Sequence, residues 1–193
     1  NTRTTATVHY RLAQIQSRIM RDFEGAKSSY ETALKSNPDT ELKNLIFSDI
    51  GKLLIYDGRY KEAKIYFHPN QNENLNDQTI GYLNSLLYGL EIDSAMTFLD
   101  QIILSIDTSN KYFNDIFEIH DLIKNYYADG TKDDKIAFKA FFKAESLINE
   151  YKLKEAIKVL ESIRINHSDS MIYPITTLRM ALLSIDLMQF EKS

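Results

Sequence analysis

The sequence contains no cysteine, which excludes disulfide bonds, thiolate metal sites and a cysteine nucleophile. It has only six glycines and three prolines in 193 residues. Because β-sandwiches and barrels need turns rich in these two residues at short intervals, their scarcity argues against an all-β fold. No two glycines lie closer than seven residues apart, so the glycine loops that bind phosphates are excluded as well.

An excess of basic charge and long apolar runs are also missing. The chain carries 23 basic and 27 acidic side chains, a formal net charge of −4. Non-specific binding to nucleic acid requires a basic surface, so we expect no nucleic-acid partner. No apolar run approaches the roughly 18 residues of a membrane span, so we expect no direct insertion into a membrane. The hydrophobic fraction of 44% is ordinary for a chain that buries a core.

Most of the chain has the apolar periodicity of amphipathic helices. Near the N-terminus, one stripe consists of Val8, Leu12, Ile15 and Ile19. Short loops join helices that pack as antiparallel neighbours, so we expect helical pairs. The pattern predicts ten helices, at about residues 8–21, 24–36, 41–56, 60–67, 77–89, 92–105, 111–128, 133–150, 153–166 and 171–189.

Two polar segments interrupt this pattern. Residues 68–77 are rich in asparagine and predict a loop between two helical pairs, with a binding loop as the alternative. Residues 129–134 form the second break. There, Gly130 is suited to end a helix in the left-handed conformation, and Asp133 is suited to cap the next helix.

A short motif recurs where the second helix of each predicted pair begins. A large apolar residue is followed three positions later by alanine in segments 23–26, 60–63, 92–95 and 153–156, and segment 190–193 has serine instead. The small residues are spaced by 37, 32, 61 and 37 positions, the third being roughly two periods. Alanine at this place lets the paired helix approach closely. Self-similarity near 34 residues indicates a helical-hairpin repeat.

The motif and its spacing resemble the tetratricopeptide repeat family. The second repeat shows the family pattern most fully, in Phe47, Ile50-Gly51, Leu54, Ala63 and Phe67. The resemblance implies an all-α fold, a solenoid of helical hairpins stacked into a right-handed superhelix, here with one irregular extra helix. We expect a single domain over residues 1–193, an excerpt of a longer protein, with repeats at about 7–40, 41–76, 77–108 and 133–168, an irregular helix at 109–130 and a partial repeat at 171–193.

The resemblance also implies a concave groove, lined by the first helix of each repeat, that holds a peptide. Matching positions give three sets: Arg11, Ile15, Arg18 and Ile19; Ser48, Lys52, Ile55 and Tyr56; and Ile80, Asn84, Leu87 and Tyr88. The residues chosen to carry the peptide-binding hypothesis are Arg11, Arg18, Lys52, Tyr56, Asn84 and Tyr88. The basic members favour a partner with acidic residues. Taken singly, each arginine or lysine fits a solvated surface better, and each tyrosine fits packing at a hairpin end better; for the set, the two interpretations are about even.

One activity of the resembled family is not expected. Its best-known subset binds the C-terminal carboxylate of heat-shock proteins through five clamp residues. The matching positions here hold Arg11, Ile15, Asp49, Asp77 and Gly81. Only the arginine suits a carboxylate ligand, and the two acidic side chains would repel it.

No residue pattern indicates catalysis. The histidines, at positions 9, 68, 120 and 167, include no pair with the i, i+4 spacing of a helical zinc site. Neither a nucleophile elbow nor a phosphate-binding lysine motif occurs. We therefore expect no enzyme activity, no catalytic residue, no metal site and no cofactor.

These observations predict a scaffold for protein–protein interaction that binds a partner peptide or protein in the groove. The alternative is a regulatory or sensory helical domain that binds a small ligand near the irregular helix at 106–132. On the last predicted helix, Leu178, Leu182 and Ile185 form an apolar stripe, so we also expect self-association through the C-terminal end. The richness in Ile, Lys, Asn and Tyr suggests an AT-rich genome and a bacterial protein. We expect a soluble chain; the sequence leaves its compartment open, with the bacterial cell envelope or periplasm as one candidate.

Overall fold

The computed structural model of the protein describes residues 2–67 and 76–190, and it is 80% helical. No β-strand occurs in these two ranges, so the predicted all-α fold of helical hairpins is confirmed. Two π-helical turns, Gln16–Met20 and Lys124–Ala128, continue the first and seventh helices. The described part of the chain forms ten α-helices: α1 (Thr2–Ile15), α2 (Phe23–Lys35), α3 (Thr40–Tyr56), α4 (Tyr60–Tyr66), α5 (Asp77–Tyr88), α6 (Ile92–Ile103), α7 (Phe113–Ile123), α8 (Lys132–Asn149), α9 (Leu153–Asn166) and α10 (Tyr173–Phe190).

The chain divides into two compact units. The first contains α1 to α4 and most of α5, and the second contains the end of α5 and α6 to α10. The division falls inside α5, between Ser85 and Leu86. Most of the polar loop predicted at 68–77, and the motif copy at 190–193, lie outside the described residues.

Small side chains hold the first hairpin together. Only two residues, Arg21 and Asp22, separate the π-helical turn at the end of α1 from α2, so the two helices pack as antiparallel neighbours. Tyr10 and Tyr30 fill the space between them, with ring centroids 6.0 Å apart. Close approach of the two helices requires small residues on the facing sides. Four fully buried alanines supply them: Ala6, Ala13, Ala26 and Ala33.

In the first unit, the ring of Phe67 is held between two glycines. Phe67 is only 1% exposed. A Cβ atom on Gly51 would lie 2.4 Å from its Cζ, and a Cβ atom on Gly81 would lie 2.2 Å from its Cε1. Such distances are well inside van der Waals contact, so only glycine lets α3 and α5 approach the ring this closely.

The turns before α2, α4, α6 and α9 share one backbone feature. In each turn, the residue two positions before the helix has a positive φ: 53° at Arg21, 74° at Gly58, 61° at Leu90 and 58° at Tyr151. Only Gly58 adopts this left-handed conformation without a Cβ penalty. The repeat therefore has a common turn geometry that three of the four turns form with a strained residue.

In the second unit, α8 begins with a capping box. Thr131 accepts a hydrogen bond from the Asp134 amide at 3.2 Å, and its own amide donates to Asp134 Oδ2 at 2.9 Å. The predicted cap, Asp133, was therefore wrong, because Thr131 and Asp134 satisfy each other's amides. The left-handed conformation predicted for Gly130 was also wrong, because Gly130 does not have a positive φ. Among the described glycines, that conformation occurs at Gly58.

Polar contacts between successive repeats reproduce the repeat length. Four of them join residues 34 positions apart: Asn44 with Gln78, Asp93 with Tyr127, Asp133 with His167, and Glu145 with Arg179. In a stacked repeat array, residues one period apart lie on neighbouring equivalent helices. The contacts therefore show the period of about 34 residues in three dimensions as well as in the sequence.

Candidate interaction surface

The first helix carries an apolar stripe that faces solvent. We call Val8, Leu12, Ile15 and Ile19 the α1 stripe; their exposed fractions are 59%, 43%, 48% and 76%. The buried side of α1 consists of Ala6, Tyr10 and Ala13, which lie across the helix from the stripe. Large aliphatic side chains in this position contribute nothing to the core of the hairpin. Exposed rows of large aliphatic side chains make this side of α1 a candidate contact surface.

Two arginines lie along one edge of the α1 stripe. Arg11 and Arg18 are both exposed and seven residues apart, which is about 10 Å along the helix. The Arg11 guanidinium donates to Gln14 Oε1 at 2.9 Å and lies 5.8 Å from the centre of the Tyr10 ring. No acidic residue occurs before Asp22. The surface of α1 is therefore apolar and basic in a protein of net negative charge.

A hydrogen-bonded cluster around Asp49 fixes α1 on the rest of the first unit. Its Oδ2 atom accepts from the Tyr10 hydroxyl at 3.2 Å, from Gln14 Nε2 at 3.3 Å and from the Tyr30 hydroxyl at 3.3 Å. Burial, with a further contribution from the Asp49 charge, raises the pKa of Tyr10 to about 12 and raises the pKa of Tyr30 as well. Both phenols therefore stay neutral donors, and the Asp49 carboxylate binds them rather than a ligand.

The predicted groove residues of α3 and α5 have mixed environments. Tyr56 is 43% exposed, and Asn84 is half-buried. Lys52 Nζ lies 3.7 Å from Asp77 Oδ2, so much of its charge is already compensated. Tyr56 lies 37 positions after Ile19, and Leu45, which is 48% exposed, lies 37 positions after Val8. Two of the four exposed apolar positions of α1 thus recur on α3, at its two ends, while the two between them are occupied by Asp49 and Lys52.

Three of the other predicted groove positions were wrong as contact residues. Ser48, Ile55 and Leu87 are 7%, 5% and 3% exposed, because helical neighbours cover them. Tyr88, the last residue of the hypothesis, belongs to the second unit. There it contributes to the electrostatic environment of Arg179, whose pKa is raised chiefly by its hydrogen bonds to Glu145.

The helix that was predicted as irregular, α7 with its π-helical turn, packs through aromatic rings. Tyr127, at the end of its π-helical turn, is 7% exposed and donates to Asp93 Oδ2 at 3.3 Å. Its ring centroid lies 5.6 Å from that of Phe138, and Phe138 lies 5.0 Å from Phe142. The ammonium groups of Lys135 and Lys139 lie 5.6 and 5.4 Å from the Tyr127 ring centre. These contacts attach the helix to α8 and α6 by packing.

A second exposed apolar stripe lies on α10. We call Leu178, Leu182 and Ile185 the α10 stripe; they are 62%, 47% and 52% exposed. Beside it, Arg179 donates from Nε and Nη2 to the two oxygens of Glu145, at 2.5 and 2.8 Å. The sequence pattern indicated the stripe but not the ion pair. A search for opposite charges 34 residues apart would have found it.

Comparison with known proteins identifies one family. The family model for the tetratricopeptide repeat matches residues 6–40, the hairpin of α1 and α2. No curated protein and no solved structure matches the chain significantly. Among the described residues, no helix is long and apolar enough to cross a membrane, and no group of three or more acidic, histidine or cysteine side chains forms a metal site.

Proposed function

We propose, from the tetratricopeptide repeat that residues 6–40 form, that the chain is a protein-interaction scaffold whose α1 surface binds an acidic amphipathic segment of another protein. The observation that carries this proposal is the exposure of the α1 stripe next to Arg11 and Arg18. Val8 and Ile19 are eleven residues apart, about 17 Å along the axis, which suits three turns of a partner helix.

The charges favour carboxylates in the partner. Arg11 and Arg18 are separated by two helical turns, so a partner helix with acidic residues seven positions apart would meet both. The arginines would mainly raise the association rate, and the α1 stripe would supply the apolar contact that slows dissociation. Lys52 contributes less to this attraction, because Asp77 lies beside it.

A designed peptide tests the proposal. The probe is a fluorescent helical peptide with leucines spaced as in the α1 stripe and glutamates seven positions apart on one edge. Fluorescence anisotropy should show that Arg11→Glu with Arg18→Glu raises the Kd by about tenfold or more. The matched control, Lys154→Glu with Lys158→Glu, makes the same change in net charge on exposed positions of α9. If both double variants lose the same affinity for the peptide, the effect comes from net charge alone and the proposed site is contradicted.

A second candidate function is self-association through the C-terminal helix. It is supported by the exposure of the α10 stripe, which lies on the side of α10 opposite the buried residues Thr176 and Leu183. Sedimentation velocity should show a concentration-dependent dimer that Leu182→Asp abolishes. Because Leu182 is half exposed, this substitution should leave the helical circular dichroism unchanged.

A further inference from the structure

The α10 stripe occupies a place that is covered elsewhere in the protein. Leu178 lies 34 positions after Ala144, just as Arg179 lies 34 positions after Glu145, with which it forms hydrogen bonds. Leu178 and Ala144 therefore occupy the same position in successive repeats. Ala144 is fully buried in the α8–α9 hairpin, whereas Leu178 is 62% exposed. At this position α10 therefore carries a larger apolar side chain than α8, and no other described helix covers it.

The spacing of the α10 stripe fits pairing with one other helix. Leu178, Leu182 and Ile185 follow each other at intervals of four and three residues, which is the spacing of core positions in a two-helix coiled coil. The stripe itself contains no charged residue. The occupant must therefore present a similar apolar face.

The charged edge beside the α10 stripe is complementary to the same edge of a second copy. Arg179 and Asp186 are seven residues apart, so they lie on the same edge of α10. When two identical helices pair antiparallel around a two-fold axis, the same edges meet. An axis at the level midway between Leu182 and Leu183 would place Arg179 of each copy opposite Asp186 of the other. The Arg179 side chain is 34% exposed and its direction is fixed by Glu145, which prepares it for this contact.

The α1 stripe does not have this property. Its edge carries Arg11 and Arg18 with no acidic residue, so an antiparallel pair of α1 helices would place arginine against arginine. The two stripes therefore fit different partners, an acidic segment for α1 and an identical helix for α10.

We infer that a second copy of this chain covers the α10 stripe, in an antiparallel α10–α10 pair with reciprocal Arg179–Asp186 contacts. This inference rests on the proposed self-association and adds its direction and register. The pair is isologous, so it closes as a dimer and forms no filament.

Single cysteines test the direction, because the natural chain has none. With the axis midway between residues 182 and 183, the two copies of residue 182 lie about 1.5 Å apart along the helix direction, and those of residue 178 about 14 Å apart. Mild oxidation should therefore cross-link the Leu182→Cys variant and not the Leu178→Cys variant. Equal cross-linking of both would indicate a parallel pair and overturn the inference while self-association stands. A chain that stays monomeric in sedimentation would overturn both.

Charge reversal tests the register. Asp186→Arg should raise the dimer Kd by about tenfold, since both reciprocal contacts become repulsive. The control Asp169→Arg makes the same change at an exposed position before α10 and should leave the Kd unchanged. A dimer that tolerates Asp186→Arg as well as the control would contradict the proposed register.

Discussion

At the scale of single residues, two glycines show how an absent side chain determines packing. A Cβ at Gly51 would lie 2.4 Å from the buried ring of Phe67. Helix propensity alone would make Gly51→Ala stabilising by about 1 kcal/mol. We expect the opposite sign, a loss of about 1–3 kcal/mol, because the methyl group overpacks the contact.

Urea denaturation of Gly51→Ala measures this effect. Asn44→Ala, at an exposed position of the same helix, is the control and should change stability by less than about 0.5 kcal/mol. An alanine at position 51 that leaves the unfolding midpoint unchanged or raises it would show that Phe67 can move away at little cost.

The left-handed turn residues allow a test with two substitutions at one site. Tyr151 has a φ of 58°. Replacement by glycine should give a protein about 1 kcal/mol more stable than replacement by alanine, because only alanine keeps the Cβ penalty. At Lys154, an exposed residue in the first turn of α9, the order of the two variants should reverse. If thermal unfolding gives the same order of stability for the glycine and alanine variants at both positions, backbone strain at Tyr151 is excluded.

At the scale of secondary-structure elements, the capping box of α8 makes stability depend on pH. Hydrogen bonds from the Met171 amide and from Thr131 lower the pKa of Asp134 below its ordinary value. A carboxyl group whose pKa is lowered by folding stabilises the protein above the unfolded pKa of about 3.9. This contribution is lost as the pH falls through the lower, folded pKa.

The variant Asp134→Asn should isolate this contribution. Its stability should be lower than that of the natural protein at pH 6, with a gap that stays constant down to about pH 5 and narrows below about pH 4. Urea unfolding at each pH measures the gap. A gap that widens towards low pH would mean that folding raises the pKa of Asp134.

The helices themselves were largely predictable from the sequence, and their ends were less so. The predicted α9, at 153–166, agrees with the structure at both ends. The first helix begins at Thr2, six residues before its predicted start. Residues 2–7 include four threonines and no large apolar residue, so neither propensity nor periodicity extended the helix. The π-helical turns had no recognised sequence signal.

Which side of α1 is buried could not be predicted from periodicity. The regular aliphatic stripe is the usual signature of a core-facing side, but in α1 it faces solvent. The true core side consists of Ala6, Tyr10 and Ala13, because the close hairpin admits mainly small residues. Periodicity finds an apolar face, and only the packing partner decides whether that face is covered.

At the scale of the whole molecule, charge is distributed unevenly. The first 21 residues contain four arginines and no acidic residue, whereas the chain as a whole has a net charge of −4. The rest of the chain therefore carries −4 − 4 = −8. In a protein of net negative charge, a basic and apolar helix such as α1 favours acidic segments at its own surface. The groove predicted from the repeat resemblance shares Arg11 and Arg18 with this helix and stays a prediction, while Lys52 lies beside Asp77 and Tyr88 lies in the other unit.

The affinity for two matched peptides tests the central claim most directly. One probe is the acidic amphipathic helix described above, and the other has lysine in place of each glutamate. Titrated into the natural protein at low salt, the acidic probe should bind at least about tenfold more tightly, and added salt should reduce this preference. Equal affinities, or tighter binding of the lysine probe by this acidic protein, would contradict an acidic partner on the α1 surface.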